Sequence, residues 1–243
     1  MIYSLLTALI GVFAAAVLRG FTGFGFGLAS VPLLSLALPP KEVVPLVVVL
    51  QVAIGLMGLR SAAKLCDWRA VGTLLPGLLV GVPIGLTVLT GFAPNAVRLA
   101  IGLIILASVG LVQQGLRLPP RPSWRVGAGV GMVSGIISGL ASMGGTPVVV
   151  YLLAIGHSAS RMRATTIVYF MLSGCASLVP MVWRGLITRD VLIWAVTTTP
   201  ILFLGTRLGT WAFHRARPVH HRMTALATLT VLGVALIGRA LLG

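Results

Sequence analysis

Arg19-Gly20-Phe21-Thr22-Gly23-Phe24-Gly25-Phe26-Gly27 interrupts an apolar run that extends from Ile2 to Leu38. Each glycine costs a helix about 1 kcal/mol relative to alanine, so alternate glycines predict a break. A second break, Ala141-Ser142-Met143-Gly144-Gly145, precedes Thr146 and Pro147 in the other half. A helix restarting after such a break presents N–H groups without intrahelical partners and the positive end of its dipole. Two such ends can bind an anion without a lysine, and Thr22, Ser142 and Thr146 add hydroxyl donors. Arg19 is a candidate counter-charge, because an intramembrane charge points to function. The competing reading is an arginine at a hairpin end that snorkels to the interface. Glycines also let helices pack closely, but paired breaks in corresponding positions favour a site. Gln51, mid-way along an apolar run, either lines the path or bonds a neighbouring helix. The candidate substrate-binding residues are thus Arg19, Thr22, Gly23, Gly25, Gly27, Gln51, Ser142, Gly144, Gly145 and Thr146.

Other chemistry finds little support. No nucleophile–base constellation, Walker loop or metal-ligand cluster is present, so no catalytic residue, metal or cofactor is expected, and the chain is not read as an enzyme. Gly23–Gly27 lacks the strand and spacing of a dinucleotide fingerprint. Glu42, Asp67 and Asp190 are the whole acidic inventory, and all three fall in predicted loops. A proton relay or a cation site built from intramembrane carboxylates therefore has no candidate. If protons couple, His157 or the substrate must carry them, although a lone loop histidine reads first as solvated. Tyr169 and Ser173, one turn apart, read as packing residues. Thr165-Thr166 read as the start and cap of a helix. Cys66 and Cys175 lack CxxC spacing and read as free thiols.

The elements that must position these residues are membrane helices. The chain has 243 residues, 58% hydrophobic and 9% charged, with a mean hydropathy of +1.08. Soluble domains are about 25% charged, and apolar runs of about 20 residues are long enough to span a bilayer. On a soluble chain a net charge of +15 would suggest nucleic acid. Here it reads as basic loops beside cytoplasmic phospholipid, with no nucleic-acid partner. Met1-Ile2-Tyr3 lacks a basic n-region, so the first apolar run is expected to be a membrane segment, not a cleaved signal.

Taken in order, the apolar segments are Ile2–Leu18, Leu28–Leu38, Val43–Leu59, Ala70–Thr90 and Pro94–Val112. After the polar, proline-rich Gln113–Arg125 come Val126–Leu140, Thr146–Ile155, Ala164–Trp183, Val191–Phe213 and a last helix to about Ile237. The halves correspond. A shift of 124 places Gly81 on Gly205, Gly85 on Gly209, Pro94 on Pro218 and Arg98 on Arg222, and a shift of 115 places Pro32 on Pro147.

Charge then separates two topologies. With four plain spans per half, Lys and Arg outside the first break divide nine to eight. If each half instead opens with a hairpin folded at its break, the division is twelve to five. Arg60, Lys64, Arg69, Arg117, Arg121, Arg125, Arg161, Arg163, Arg207, Arg215, Arg217 and Arg222 share one side; Lys41, Arg98, Arg184, Arg189 and Arg239 share the other. The positive-inside rule prefers the second arrangement and puts the twelve in the cytoplasm. Three spans after a hairpin invert the halves, and inverted repeats with discontinuous helices at the midplane are the build of secondary transporters.

At these residues the chain resembles a family. Gly23-Phe24-Gly25-Phe26-Gly27 with Pro32 is similar to the first signature of the TauE/SafE-type sulfite and organosulfonate permeases. Gly135-Ile136-Ile137-Ser138-Gly139-Leu140-Ala141-Ser142-Met143-Gly144-Gly145-Thr146-Pro147 is similar to the second. Ala164-Thr165-Thr166 and Gly205-Thr206-Arg207-Leu208-Gly209, with Pro218 and Arg222, resemble later positions. Arg19 and Met143 depart from the more glycine-rich family tips. The resemblance implies a bacterial inner-membrane carrier moving sulfite, sulfoacetate or related sulfur oxyanions, commonly outward.

The expectation is an all-α integral membrane protein of two inverted repeats, residues 1–115 and 126–243, joined by a cytoplasmic linker at 116–125. Each repeat is a broken or re-entrant helical hairpin followed by three transmembrane helices. The two hairpin tips would meet at the midplane, and the halves would rock to export a small sulfur-containing anion. Its partners are that anion and the lipid bilayer, with room for a homo-oligomer. The alternatives are a carrier of another small anion, such as a carboxylate, and a non-transporting scaffold or assembly subunit whose tips pack dry.

Overall fold

Glycines spaced four apart give a helix a flat stripe on which another backbone can lie. Three helices carry such stripes, Gly77/Gly81/Gly85, Gly127/Gly131/Gly135/Gly139 and Gly205/Gly209, and all are used. The computed structural model describes residues 2–22, 25–113, 122–215 and 218–242. Among these, all ten expected segments are helices: α1 Ile2–Thr22, α2 Phe26–Ser35, α3 Pro40–Leu65, α4 Trp68–Gly91, α5 Pro94–Gln113, α6 Trp124–Ala141, α7 Gly145–Ala154, α8 Ala159–Trp183, α9 Arg189–Arg215 and α10 Pro218–Leu242. Five of them, α4, α5, α6, α8 and α9, are long and apolar enough to cross a membrane, and bent α3 makes a sixth if counted as one span. Large apolar side chains stay exposed along them, among them Leu79 and Ile84 on α4 and Val196 and Leu204 on α9. That is the face a helix presents to lipid, and the chain is an all-α, multi-pass membrane protein.

Several helices run past their predicted ends. Pro40 supplies the first position of α3, where its missing N–H costs nothing. α8 starts at Ala159 because Ser158 caps it, accepting from the Arg161 N–H at 3.4 Å. Thr165 and Thr166 therefore sit inside α8, not at its start. Their hydroxyls donate back to the Arg161 and Met162 carbonyls, both at 2.8 Å. α1 continues to Thr22, so Arg19 is half-buried in its last turn and not in a broken segment. Gly23 and Phe24 lie outside the described residues, as do the backbone of most of the 116–125 linker and the side chain of Thr22.

The helices divide into two compact units. One takes Met1–Val47, Phe92–Val109 and Gly185–Gly243; the other takes Val48–Gly91 and Gly110–Arg184. Each draws elements from both sequence halves.

In the first unit, Gly205 on α9 lies against Phe13 and Ala16 on α1, and Gly209 lies against Val17 and Gly20. The numbers rise together, so α1 and α9 run parallel. Gly11 on α1 accommodates Leu34 on α2, which returns alongside α1. Arg98 of α5 holds the C-terminal end of α2. Its guanidinium donates to the Ser35 carbonyl at 2.8 Å and is steadied by Asn95 at 2.7 Å. The last carbonyls of a helix have no intrahelical donor, and a cation there also complements the dipole.

In the second unit the same device joins α4 and α6. Gly77, Gly81 and Gly85 face the carbonyls of Ala128, Met132 and Ile136, while Gly131 and Gly139 face those of Leu74 and Val82. A Cβ at any of these would collide with backbone. This pair is also parallel. Leu74, Leu78 and Val82 of α4 meet Val148 and Leu152 of α7 and Tyr169 of α8 in the unit's core. Overpacking a well-packed contact costs about 1–3 kcal/mol. Gly131→Leu should therefore lower the thermal stability of the detergent-solubilised protein clearly. Gly129→Leu, on the same helix with nothing within 4 Å, should leave it near wild type. Thermal denaturation followed by size-exclusion chromatography checks both.

Candidate functional site

In the second unit the break is a reversal. α6 ends at Ala141, and Ser142 adopts φ 53°, a left-handed C-cap whose N–H returns to the Ser138 carbonyl at 2.8 Å. Gly144 then packs onto Ser134 and Ser138 one to two turns back along α6. α7 starts at Gly145 and runs back beside α6. Neither glycine can be replaced in place. A Cβ on Gly144 would strike Ser138 Oγ and the Ser134 carbonyl, and one on Gly145 would strike the ring of Phe170.

Two helices, α6 and α8, fix this reversal through hydroxyls. Ser134 Oγ donates to the Gly144 carbonyl, and Tyr169 OH donates to Ser134 Oγ at 2.9 Å. One turn further on, Ser173 Oγ donates to Ser138 Oγ at 2.9 Å. Tyr169 and Ser173 are both buried, and their sequence reading as packing residues misses this role. Gln51 bonds its neighbours in both directions. Its Nε2 donates to the Phe170 carbonyl at 3.4 Å, and its Oε1 accepts from Ser142 Oγ at 3.2 Å. Gln51, Ser142, Gly144, Gly145 and Thr146 are thus brought together in one unit.

Thr146 stands apart within this network. It is the second residue of α7 and only 4% exposed, and its Oγ1 has no hydrogen-bond partner. The α7 N-cap, Gly144, has no side chain to satisfy the first N–H groups. A buried hydroxyl without a partner costs about 1–3 kcal/mol. Among the described residues the other such atom is Ser35 Oγ, at the C-terminal end of α2, where the dipole is negative. In the first unit, Gly25 is the N-cap of α2 and Gly27 its buried second residue, again without a side-chain cap. Arg19 lies one turn before the end of α1.

The loop beyond α7 holds a second surprise. His157 is not solvated: its side chain is 11% exposed and its Nε2 lies 2.9 Å from Asp67 Oδ2. Burial alone would raise the Asp67 carboxyl, but the Ala70 N–H, Arg161 and His157 outweigh it and hold the group below its ordinary value. Burial pushes the neighbouring Cys66 thiol up, as suits an inert thiol.

Two outcomes follow. Tyr169→Phe should cost about 1 kcal/mol, because Ser134 keeps its bond to Gly144. Ser134→Ala should cost roughly 1–3 kcal/mol, because it strands the Tyr169 hydroxyl. In a double-mutant cycle the two should be non-additive. Asp67, with a depressed folded value, contributes stability that is present above the ordinary carboxylate value. That stability is lost as pH falls through the depressed one. Asp67→Asn should therefore lower stability at neutral pH and flatten its acid limb, read by thermal denaturation across pH.

A family model, Sulfite exporter TauE/SafE, matches residues 7–236. No curated protein and no solved structure matches the chain. The match covers both glycine breaks and all or part of every helix, and the several span-capable helices agree with a multi-pass membrane protein. The chain belongs to the sulfite exporter TauE/SafE family of membrane transporters.

Proposed function

We propose that this protein exports a small sulfur oxyanion, sulfite or a sulfonate, by alternating access, and that the anion binds at the start of α7. The observation that carries the reading is the Thr146 hydroxyl, buried and without a partner at an uncapped helix N-terminus. A helix N-terminus attracts anions through its free N–H groups and its dipole. The Thr146 hydroxyl beside it is a buried donor free to bond such an anion.

Roles follow for the other candidates. Gly144 and Gly145 let the backbone approach the anion and fix the turn. Ser142, with Gln51 as its acceptor, supports the rim. To Arg19, Thr22, Gly23, Gly25 and Gly27 we assign the same work at the start of α2, with Arg19 as counter-charge.

The test exploits opposite signs. Thr146→Val keeps the shape and removes an unpartnered hydroxyl, so the empty protein should be as stable as wild type or more so. If the hydroxyl binds the anion, sulfite affinity should fall about tenfold, the loss of one charge-assisted hydrogen bond of roughly 1.5 kcal/mol. Radiolabelled sulfite binding and flux in proteoliposomes give the readings. Unchanged binding and flux in Thr146→Val would exclude this site, and absence of flux in the wild type would exclude the substrate.

A further inference from the structure

The two ends of α7 are built differently. Its C-terminus closes with Gly156 at φ +78°. The Gly156 N–H donates to the Leu153 carbonyl at 3.0 Å and the His157 N–H to the Leu152 carbonyl at 3.3 Å. This paired pattern is a Schellman motif, and it ties the backbone N–H of His157, just beyond α7, to the helix's last turn. The imidazole then reaches out to Asp67. Asp67 also caps α4, accepting at Oδ1 from the N–H groups of Arg69 at 3.0 Å and Ala70 at 3.1 Å. Its own N–H donates to Thr165 Oγ1 of α8 at 2.9 Å. One residue thereby ties the start of α4 and the body of α8 to the end of α7: its carboxylate holds Arg69, Ala70 and His157, and its N–H holds Thr165.

Within this cluster one charge can change near neutral pH. Asp67 stays ionised, held by Ala70, Arg161 and His157. Arg161 approaches it to 3.9 Å. Cys66 is buried with its thiol pushed up. Lys64, Arg69, Arg125 and Arg163 on the surrounding elements are exposed, and Tyr151 is the other titratable side chain on α7. Histidine is the side chain that takes up a proton in this range.

We propose that the Asp67–His157 contact binds one proton, that it latches the C-terminal end of α7, and that this proton is the coupling ion of transport. With the proton on His157 the contact is an ion pair, and opening it would leave Asp67 without its partner. Without the proton it is a single neutral-donor hydrogen bond, easier to break. α7 is short and rigid, so a change at its C-terminus reaches Thr146 at its N-terminus. A proton at one end and an anion at the other also keep small the charge moved per cycle.

This rests on the anion-carrier reading above, and one experiment separates the two. The full chain in proteoliposomes is assayed for radiolabelled sulfite flux between about pH 5.5 and about pH 8, with and without an imposed pH gradient. His157→Gln keeps a donor for Asp67 but cannot take up the proton. Sulfite's own protonation is the same for both proteins, so a difference in profile belongs to the protein. We expect the wild-type response to be at least about fivefold steeper than that of His157→Gln, and the variant to ignore the gradient. Arg163→Gln, exposed on α8, should keep the wild-type profile. Asp67→Asn still offers an acceptor to cap α4 and should behave as His157→Gln does, and it decides the matter if that variant does not fold. Flux in which His157→Gln, or Asp67→Asn in its place, retains the wild-type profile overturns the latch and leaves the carrier standing. No wild-type flux at all overturns the carrier reading instead.

Discussion

The contact of backbone on backbone between α4 and α6 is the constraint on which the second unit depends. Gly77, Gly81, Gly85, Gly131 and Gly139 bring the two helices so close that carbonyls of one occupy the space of absent side chains on the other. In lipid there is no hydrophobic gain from joining two apolar helices, so close van der Waals approach must supply the attraction. The glycine stripe leaves α6 with its other face free. On that face Ser134 and Ser138 meet the reversal at Gly144 and the hydroxyls of Tyr169 and Ser173. The packing surface and the polar surface are two sides of one helix.

The reversal follows from that arrangement. A chain that ran on as helix after Ala141 would need no αL residue and no uncapped glycine. Instead Ser142 turns the chain, Gly144 and Gly145 fit under Ser138 and Phe170, and α7 returns. Irregular buried backbone requires partners for its polar groups, and Ser134 and Ser138 provide them, while Gln51 accepts from the Ser142 hydroxyl. Thr146 is left over. In so fully bonded a network, one orphaned donor at a helix N-terminus is more informative than the many satisfied ones around it. The first unit repeats the logic, with α1 on α9, α2 returning, and Arg98 closing the end of α2.

Much of this was legible in the sequence, for physical reasons. Apolar runs and glycine breaks are local signals, so all ten helices and the break at Ala141–Gly145 can be read directly. Thr146 is legible because its position after Gly144-Gly145 is a helix-start pattern. The hydroxyl pairs are not. Tyr169 with Ser134 and Ser173 with Ser138 are each 35 residues apart, and their pairing depends on how α8 lies against α6. His157 and Asp67 are 90 residues apart, and each alone looks like a loop residue. The helix ends also differ: a side-chain cap at Ser158 starts α8 earlier than composition suggests, and α1 runs on past Arg19 to Thr22. The two compact units could not be read as sequence halves either, because helix stripes select partners by fit and not by order along the chain.

The central claim is that an anion sits at the start of α7, bonded to the Gly145 and Thr146 N–H groups and the Thr146 hydroxyl. The most direct measurement is an anomalous difference map from crystals soaked in selenite, the heavier analogue of sulfite. The account predicts a selenium peak within hydrogen-bonding distance of Thr146 Oγ1 that disappears in Thr146→Val. Selenium confined to the basic loops, with none at α7, would contradict it.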